Sequence, residues 1–208
     1  MQLFPDRVHP DAAAYAEAYF EQINTAHATV DRAALNAAAD LLDQTVRARA
    51  DVFSCGNGGS AAISNHLLCD CLKGVGNGTL LRPRVHSLAS AVELITAISN
   101  DLSVEEIFAL PLSSLAKAGD LLIVISSSGA SRNIVRALET AAEMGVRTIA
   151  LTGFDGGQAA RMADVSLHVD SANYGVVEDV HQSLMHILAQ NLRHANLSDP
   201  SALGSVRF

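Results

Sequence analysis

Residues 120–131 read DLLIVISSSGAS, and this stretch decides the fold class. The apolar run LLIVI has no polar residue at alternate positions, which indicates a strand that is buried on both faces. Such strands belong to parallel sheets that helices cover from both sides. Further short segments predict strands of the same sheet: 51–55, 84–88, 147–152 and 165–169.

Segments with helical spacing of apolar residues alternate with these strands along the chain. They are residues 60–73, 89–98, 103–118, 131–144, 157–163 and 176–194. The alternation predicts an α/β fold built on a parallel sheet, in which ligands bind beyond the carboxyl ends of the strands.

Two amphipathic, alanine-rich helices are predicted before the first strand, at residues 11–27 and 31–49. We therefore divide the chain into an N-terminal helical extension over residues 1–50 and a domain over residues 51–208. Such a helical hairpin either docks on another subunit, as an oligomerisation element, or forms a helical layer on the same domain. The sequence pattern leaves both interpretations open.

Composition excludes several classes of partner. The 208 residues carry a formal net charge of -8, and lysine and arginine are scattered singly, so there is no basic patch for nucleic acid. No apolar run approaches the roughly 20 residues that span a bilayer, and the opening residues lack a signal-peptide pattern. We expect a cytoplasmic protein in which Cys55, Cys69 and Cys71 are buried, reduced thiols.

Two loops combine glycine with short hydroxyl side chains at the start of a predicted helix: CGNGGS at 55–60 and SSSGAS at 126–131. Free backbone N–H groups and the helix dipole favour an anion at such a position. Ordinary helix capping by Ser60 and Ser131 is the alternative. Neither loop has the register of a P-loop or of a dinucleotide-binding motif, so we predict a site for the single phosphate of a small molecule.

Polar residues form a stripe on each of two predicted helices. His66 and Asp70 are four residues apart on one, and Glu178, Gln182 and His186 follow the same spacing on the other. Histidine and carboxylate side chains are the groups that commonly bind zinc or carry out general acid–base catalysis. A surface ion pair between His66 and Asp70 is the alternative. Glu178 lies about 12 Å from His186 along the helix axis, so one metal could bind both only if it sits midway with both side chains extended, or draws ligands from different subunits.

Four stretches together resemble the SIS (sugar isomerase) domain family, most closely its sedoheptulose 7-phosphate isomerase branch. They are CGNGGSAAISNH, ISND, VHQSLMHIL and GDLLIVISSSGASRNIVRALETAAEMGVRTIALTGFDGG, and the similarity covers residues 12–195. The resemblance implies a flavodoxin-like three-layer α/β sandwich with a parallel sheet. It also implies a homotetramer with active sites at subunit interfaces, and zinc-dependent aldose–ketose isomerisation of a seven-carbon sugar phosphate.

The resemblance also implies the site residues. Asp70 would remove a proton from the carbon beside the carbonyl, and His186 would relay protons through an enediol-like intermediate. The implied metal ligands are His66, Asp70, Glu178 and His186. The implied substrate-binding residues are Asn57, Gly58, Ser60, Asp101, Ser126, Ser127, Ser128, Ser131 and Glu178.

The chain departs from the family pattern at four positions. Asp70 replaces a usual Glu, Glu178 replaces a usual Gln, and Gly74 and Gly175 replace an Arg and an Asp. These changes lie at the sugar end of the implied site, away from the phosphate loops. Two alternative functions therefore remain: an isomerase of a different phosphosugar, and a non-catalytic SIS scaffold or sensor, such as a replication-initiator-associating protein.

Overall fold

A five-stranded, all-parallel sheet organises the computed structural model, which describes residues 3–204. The strand order is β2-β1-β3-β4-β5, the order of flavodoxin-like folds, so the expected fold class is confirmed. The strands are β1 (Asp51–Gly56), β2 (Arg84–Ser87), β3 (Leu121–Ser126), β4 (Arg147–Thr152) and β5 (Val165–His168).

Helices connect and flank these strands. They are α1 (Ala12–Thr29), α2 (Arg32–Arg47), α3 (Gly59–Cys69), α4 (Val92–Asp101), α5 (Glu106–Leu115), α6 (Arg132–Met144), α7 (Gly157–Met162) and α8 (Tyr174–Ala195). A π-helical turn, Asp70–Val75, continues α3, and a short 3-10 turn, Pro200–Ala202, follows α8. The start of α4 is later than predicted because Ser90 bonds back to the carbonyl of Ser87 and forms a turn there.

Side-chain alternation along β3 builds a separate core on each face of the sheet. Leu121, Ile123 and Ile125 pack with residues of α1, α2, α3 and α8. Leu122 and Val124 pack with residues of α4, α5, α6 and α7. The buried apolar run that predicts a two-sided strand therefore becomes the centre of a three-layer sandwich.

The two N-terminal helices begin at aspartate caps, because Asp11 accepts from the N–H of Ala14 and Asp31 from that of Ala33. The α2 side chains Leu42 and Val46 are buried in the same core cluster as the sheet. In this chain α2 thus belongs to the helical layer of the domain. An oligomerisation role for residues 1–50 stays a prediction.

The cysteine expectation is correct for two of the three thiols. Cys55 and Cys71 are buried and free, whereas Cys69 is free and exposed. Burial, with a smaller contribution from Asp70, raises the pKa of Cys71 to about 12. Within residues 3–204, none of the helices combines the length and the apolar character needed to span a bilayer.

A buried carboxylate ties the amino ends of the strands together. Asp51 accepts hydrogen bonds from Arg84 at 2.9 and 3.1 Å and from Lys117 at 3.0 Å, and His86 Nε2 lies 2.9 Å from the same carboxylate. Burial alone would raise the pKa of Asp51, but these hydrogen bonds outweigh it and hold the pKa well below its usual value. Ionised Asp51 therefore stabilises the fold at neutral pH, and this contribution falls as the pH drops below about 4.

We expect Asp51→Asn to lower the free energy of unfolding by about 1.5–3 kcal/mol at neutral pH, because hydrogen bonds to a charged group are lost. The difference from the parent should shrink in acid, where the parent loses the same advantage. Urea denaturation at neutral pH and near pH 3 measures both effects. Asp40→Asn, at an exposed position of α2, is the matched control. A difference that is unchanged in acid contradicts the electrostatic explanation.

Candidate active site

The candidate site lies at the point where the chain direction across the sheet reverses. Neighbouring strands β1 and β3 send their following helices to opposite faces, since α3 packs in one core and α6 in the other. This divergence opens a crevice at the carboxyl ends of the two strands. Both glycine- and serine-rich loops meet there.

A pocket of about 270 Å³ fills this crevice and contains most of the expected substrate-binding residues. Its lining consists of Asn57, Gly58, Gly59, Ser60, Ser126, Ser127, Ser128, Ser131, Tyr174 and Glu178. No lysine or arginine is found among these described lining residues. The pocket therefore offers an anion hydroxyl groups and helix N-termini, not a cationic side chain.

The serine hydroxyls at the pocket are not used as helix caps. Gly58, not Ser60, is the N-cap residue of α3, and Ser131 at the N-cap of α6 makes no side-chain capping bond. The hydroxyl of Ser127 is buried and has no hydrogen-bond partner within the described part of the chain. Because a buried polar group normally has a partner, this hydroxyl is available to a ligand.

Glycine is required where the two loops turn. Gly58 has φ +54° and ψ -122°, a conformation that residues with a side chain rarely adopt. A Cβ on Gly59 would overlap the carboxylate of Glu178, and a Cβ on Gly129 would overlap the carbonyl of Gly156. The absence of side chains thus lets the Glu178 carboxylate lie against the start of α3 and lets the backbone at Gly156 approach Gly129.

A pair of amides fastens the two loops to each other. Asn57 Nδ2 donates to Asn133 Oδ1 at 2.9 Å, and Asn133 Nδ2 donates to Asn57 Oδ1 at 2.8 Å. Asn133 is buried near the start of α6 and is not among the expected site residues. Since Asn57 uses its amide in this pair, it positions the pocket, and its expected contact with sugar stays a prediction.

A second group lies further along α3 and α8. His66, Asp70 and His186 each present a potential ligand atom, and these atoms lie within 4.8 Å of one another. Asp70 Oδ2 is 2.8 Å from His186 Nδ1, and Asp70 Oδ1 is 3.4 Å from His66 Nε2. Asp70 opens the π-helical turn, and its short side chain still reaches His186. Two imidazoles and a carboxylate suit a zinc ion.

Two expected residues lie apart from the groups that the resemblance implies for them: Glu178 from the metal ligands and Asp101 from the substrate-binding pocket. Glu178 lines the serine pocket, with its carboxylate against Gly59, two helical turns before His186. Asp101 does not follow α4, as the sequence pattern suggests, but is its exposed last residue and accepts from Asn100 Nδ2 at 2.8 Å. Within the described chain, Asp101 is not part of the pocket lining.

Sequence reasoning missed Tyr174 as a pocket residue. Its exposed ring packs edge-on against Phe154, with the ring centroids 4.7 Å apart. Tyr174 lies four residues before Glu178, so an extension of the polar stripe by one helical turn would have found it. Asn133 carries no comparable signal, because its role depends on a contact with a residue 76 positions away.

Comparison with known proteins places this architecture in a family. The family model described as "SIS domain" matches residues 14–153. Phosphoheptose isomerase of Akkermansia muciniphila is 39% identical over 73% of this chain and 80% of its own length. That of Mycobacterium tuberculosis is 37% identical over 79% and 85%. The structure of phosphoheptose isomerase GmhA from Neisseria gonorrhoeae is 30% identical, with a TM-score of 0.79 over 86% of this chain and 95% of that one. The chain therefore belongs to the SIS domain family and is a homologue of the phosphoheptose isomerases.

Proposed function

We propose that the protein is a phosphosugar aldose–ketose isomerase that converts sedoheptulose 7-phosphate to glycero-manno-heptose 7-phosphate. The observation that carries the proposal is the arrangement of two groups along α3 and α8. The serine pocket lies at the N-terminal ends of these helices, and His66, Asp70 and His186 lie further along them. From Gly59 to His66 the helix rises about 10 Å, which suits a phosphate at one end of a sugar and a carbonyl at the other.

The phosphate would bind in the serine pocket. Hydroxyls of Ser60, Ser126, Ser127, Ser128 and Ser131 would donate hydrogen bonds, and the N-termini of α3 and α6 would contribute N–H groups and a favourable dipole. Gly58 would let the phosphate approach the backbone closely. This donor set selects a phosphoryl group without the aid of a cationic side chain.

Zinc is the metal that this donor set suits, and His66, Asp70 and His186 would hold it. When bound, zinc would polarise the sugar carbonyl as a Lewis acid. Glu178, the fourth implied ligand, would have to leave its position at Gly59 to reach the same ion. In this conformation Glu178 is better placed to contact the sugar beside its phosphate.

Asp70 and His186 would transfer the protons. Asp70 would take the proton from carbon 1 of the ketose while the carbonyl oxygen gains one, which gives an enediol. Loss of the hydroxyl proton at carbon 1 and return of a proton to carbon 2 then give the aldose. His186 would relay protons through its Nε2, because its Nδ1 lies 2.8 Å from the Asp70 carboxylate, on the side where the metal would bind.

We further propose that the protein acts in the cytoplasm as a homotetramer. Four exposed apolar residues on or next to α4 support an assembly, because apolar side chains of this size are often covered at an interaction surface. These residues are Val92, Leu94, Leu102 and Val104. Asp101 lies beside them, so its proposed role in sugar binding would be exercised in the assembly, at an interface between subunits.

Isomerisation in deuterium oxide tests the proposed reaction. We expect NMR to show conversion of sedoheptulose 7-phosphate to the aldose, with deuterium entering at carbon 2, because the transferred proton passes through an exchangeable group. Asp70→Asn should lower kcat at least about 100-fold, since an amide cannot accept the proton. Asp40→Asn is the control.

Other outcomes point to the alternatives. Conversion of only a different phosphosugar would keep the reaction type but overturn the heptose assignment. Other phosphosugars are tested because Asp70 and Glu178 differ from the family pattern. Binding of phosphosugars without conversion of any would favour the non-catalytic scaffold or sensor.

Glu178 should weaken phosphate binding in the serine pocket, because it places a negative charge beside a dianion. We expect Glu178→Gln to bind inorganic phosphate about 3- to 10-fold more tightly. Calorimetric titration of metal-free protein measures this affinity without any contribution from the proposed zinc site. Glu17→Gln, at an exposed position of α1, should leave it unchanged. Equal or weaker binding by Glu178→Gln contradicts the placement of the phosphate next to Glu178.

A further inference from the structure

Gln182 forms a closed ring of contacts with the three residues of the candidate metal group, His66, Asp70 and His186. Its Nε2 lies 3.1 Å from His66 Nδ1 and 2.9 Å from His186 Nε2. Asp70 contacts the other nitrogen of each imidazole, at 3.4 Å for His66 Nε2 and 2.8 Å for His186 Nδ1. Each imidazole is therefore held between a carboxylate on one side and an amide on the other.

The positions of the protons in this ring follow from its donors and acceptors. With the Gln182 amide in this orientation, its NH₂ group donates to both His66 and His186. The remaining nitrogen of each neutral imidazole then carries the proton. That of His186 donates to Asp70 at 2.8 Å, and that of His66 faces Asp70 at 3.4 Å. Both nitrogen lone pairs thus point at Gln182, and neither points at the carboxylate.

A metal ion at Asp70 needs the opposite arrangement. A divalent cation favours the carboxylate side of the ring, so His66 Nε2 and His186 Nδ1 must present lone pairs there. Both imidazole protons then lie on the nitrogens that face Gln182. The Gln182 amide can serve both the metal-free and the metal-bound state, because a half-turn of its plane puts the carbonyl acceptor where the NH₂ donor was.

We propose that Gln182 is a positioning residue that sets the tautomers of both metal-binding histidines. When the metal is bound, the Gln182 carbonyl oxygen accepts from His66 Nδ1–H and His186 Nε2–H. Without the metal, the amide NH₂ donates to the same two nitrogens. The inference deepens the proposed function and rests on its metal site, to which Gln182 adds an outer hydrogen-bond partner of the kind that tunes metal ligands.

NMR of protein with ¹⁵N-labelled histidine tests the tautomers directly. In the zinc-loaded parent, long-range ¹H–¹⁵N correlations should show His66 protonated at Nδ1 and His186 protonated at Nε2. The metal-free protein should show the reverse for both rings, and His66→Ala and His186→Ala assign the signals. Zinc-loaded rings that keep the metal-free pattern overturn the proposal, because the metal would then lie on the Gln182 side.

Zinc affinity, measured by competition with a chromophoric chelator, gives a second test. Gln182→Leu should weaken it about 10- to 100-fold, since neither imidazole proton keeps its acceptor. Gln182→Glu should bind zinc at least as tightly as the parent, because a carboxylate accepts both protons. Gln158→Leu, at an exposed position of α7, should have no effect. Parent-like affinity of the leucine variant overturns the proposal.

The tautomer and zinc-affinity measurements do not depend on whether the protein is an isomerase. Neither measurement uses a substrate, so the behaviour of Gln182 is known whether or not the protein isomerises sedoheptulose 7-phosphate. A parent that binds no zinc overturns this inference. Isomerisation by that same parent in the presence of a chelator would leave the proposed reaction standing.

Discussion

Everything at the site depends on the burial of β1 and β3 as adjacent parallel strands. A parallel strand must be reached through a crossover, and helices must cover both faces of the sheet. The chain meets these demands by sending α3 to one face and α6 to the other. Two helix N-termini consequently open onto the same crevice, and the anion pocket is a product of sheet topology before any side chain is considered.

Side-chain contacts then fix the two helices that carry the site. A chain of buried hydroxyls links Ser54 on β1 to Ser64 on α3 and to Ser87 on β2, with oxygen–oxygen distances of 2.8 Å. The Asn57–Asn133 pair locks the two loops across the crevice. The serine contacts are satisfied within the core and the asparagine pair at its edge, so α3 has one defined position against the sheet. A rigid α3 fixes the distance between the serine pocket and His66.

The strands and the serine pocket were predictable from short-range patterns, namely apolar runs and hydroxyls next to glycine. Spacings of four residues gave a polar stripe on each of two helices, but the approach of His66 and Asp70 to His186 was implied only by the resemblance to the SIS domain family. The positions of Asn133 and Glu178 were not predictable in this way. The contacts of both side chains depend on tertiary packing, which brings them against residues that are distant in the sequence.

The Asp at position 70, where the family resemblance implies Glu, shows that a shorter side chain can still reach its partner. A carboxylate that is one methylene shorter would withdraw from a partner held by Glu. Here the π-helical turn begins at Asp70, and the Asp70 carboxylate lies 2.8 Å from His186 Nδ1. Asp70 itself keeps α-helical backbone angles, with φ -65° and ψ -39°, so its carboxylate leaves the same helix face as in a regular α-helix. The contact therefore depends on how α3 and α8 pack as well as on side-chain length, and residue identity alone underestimates what this helix can hold together.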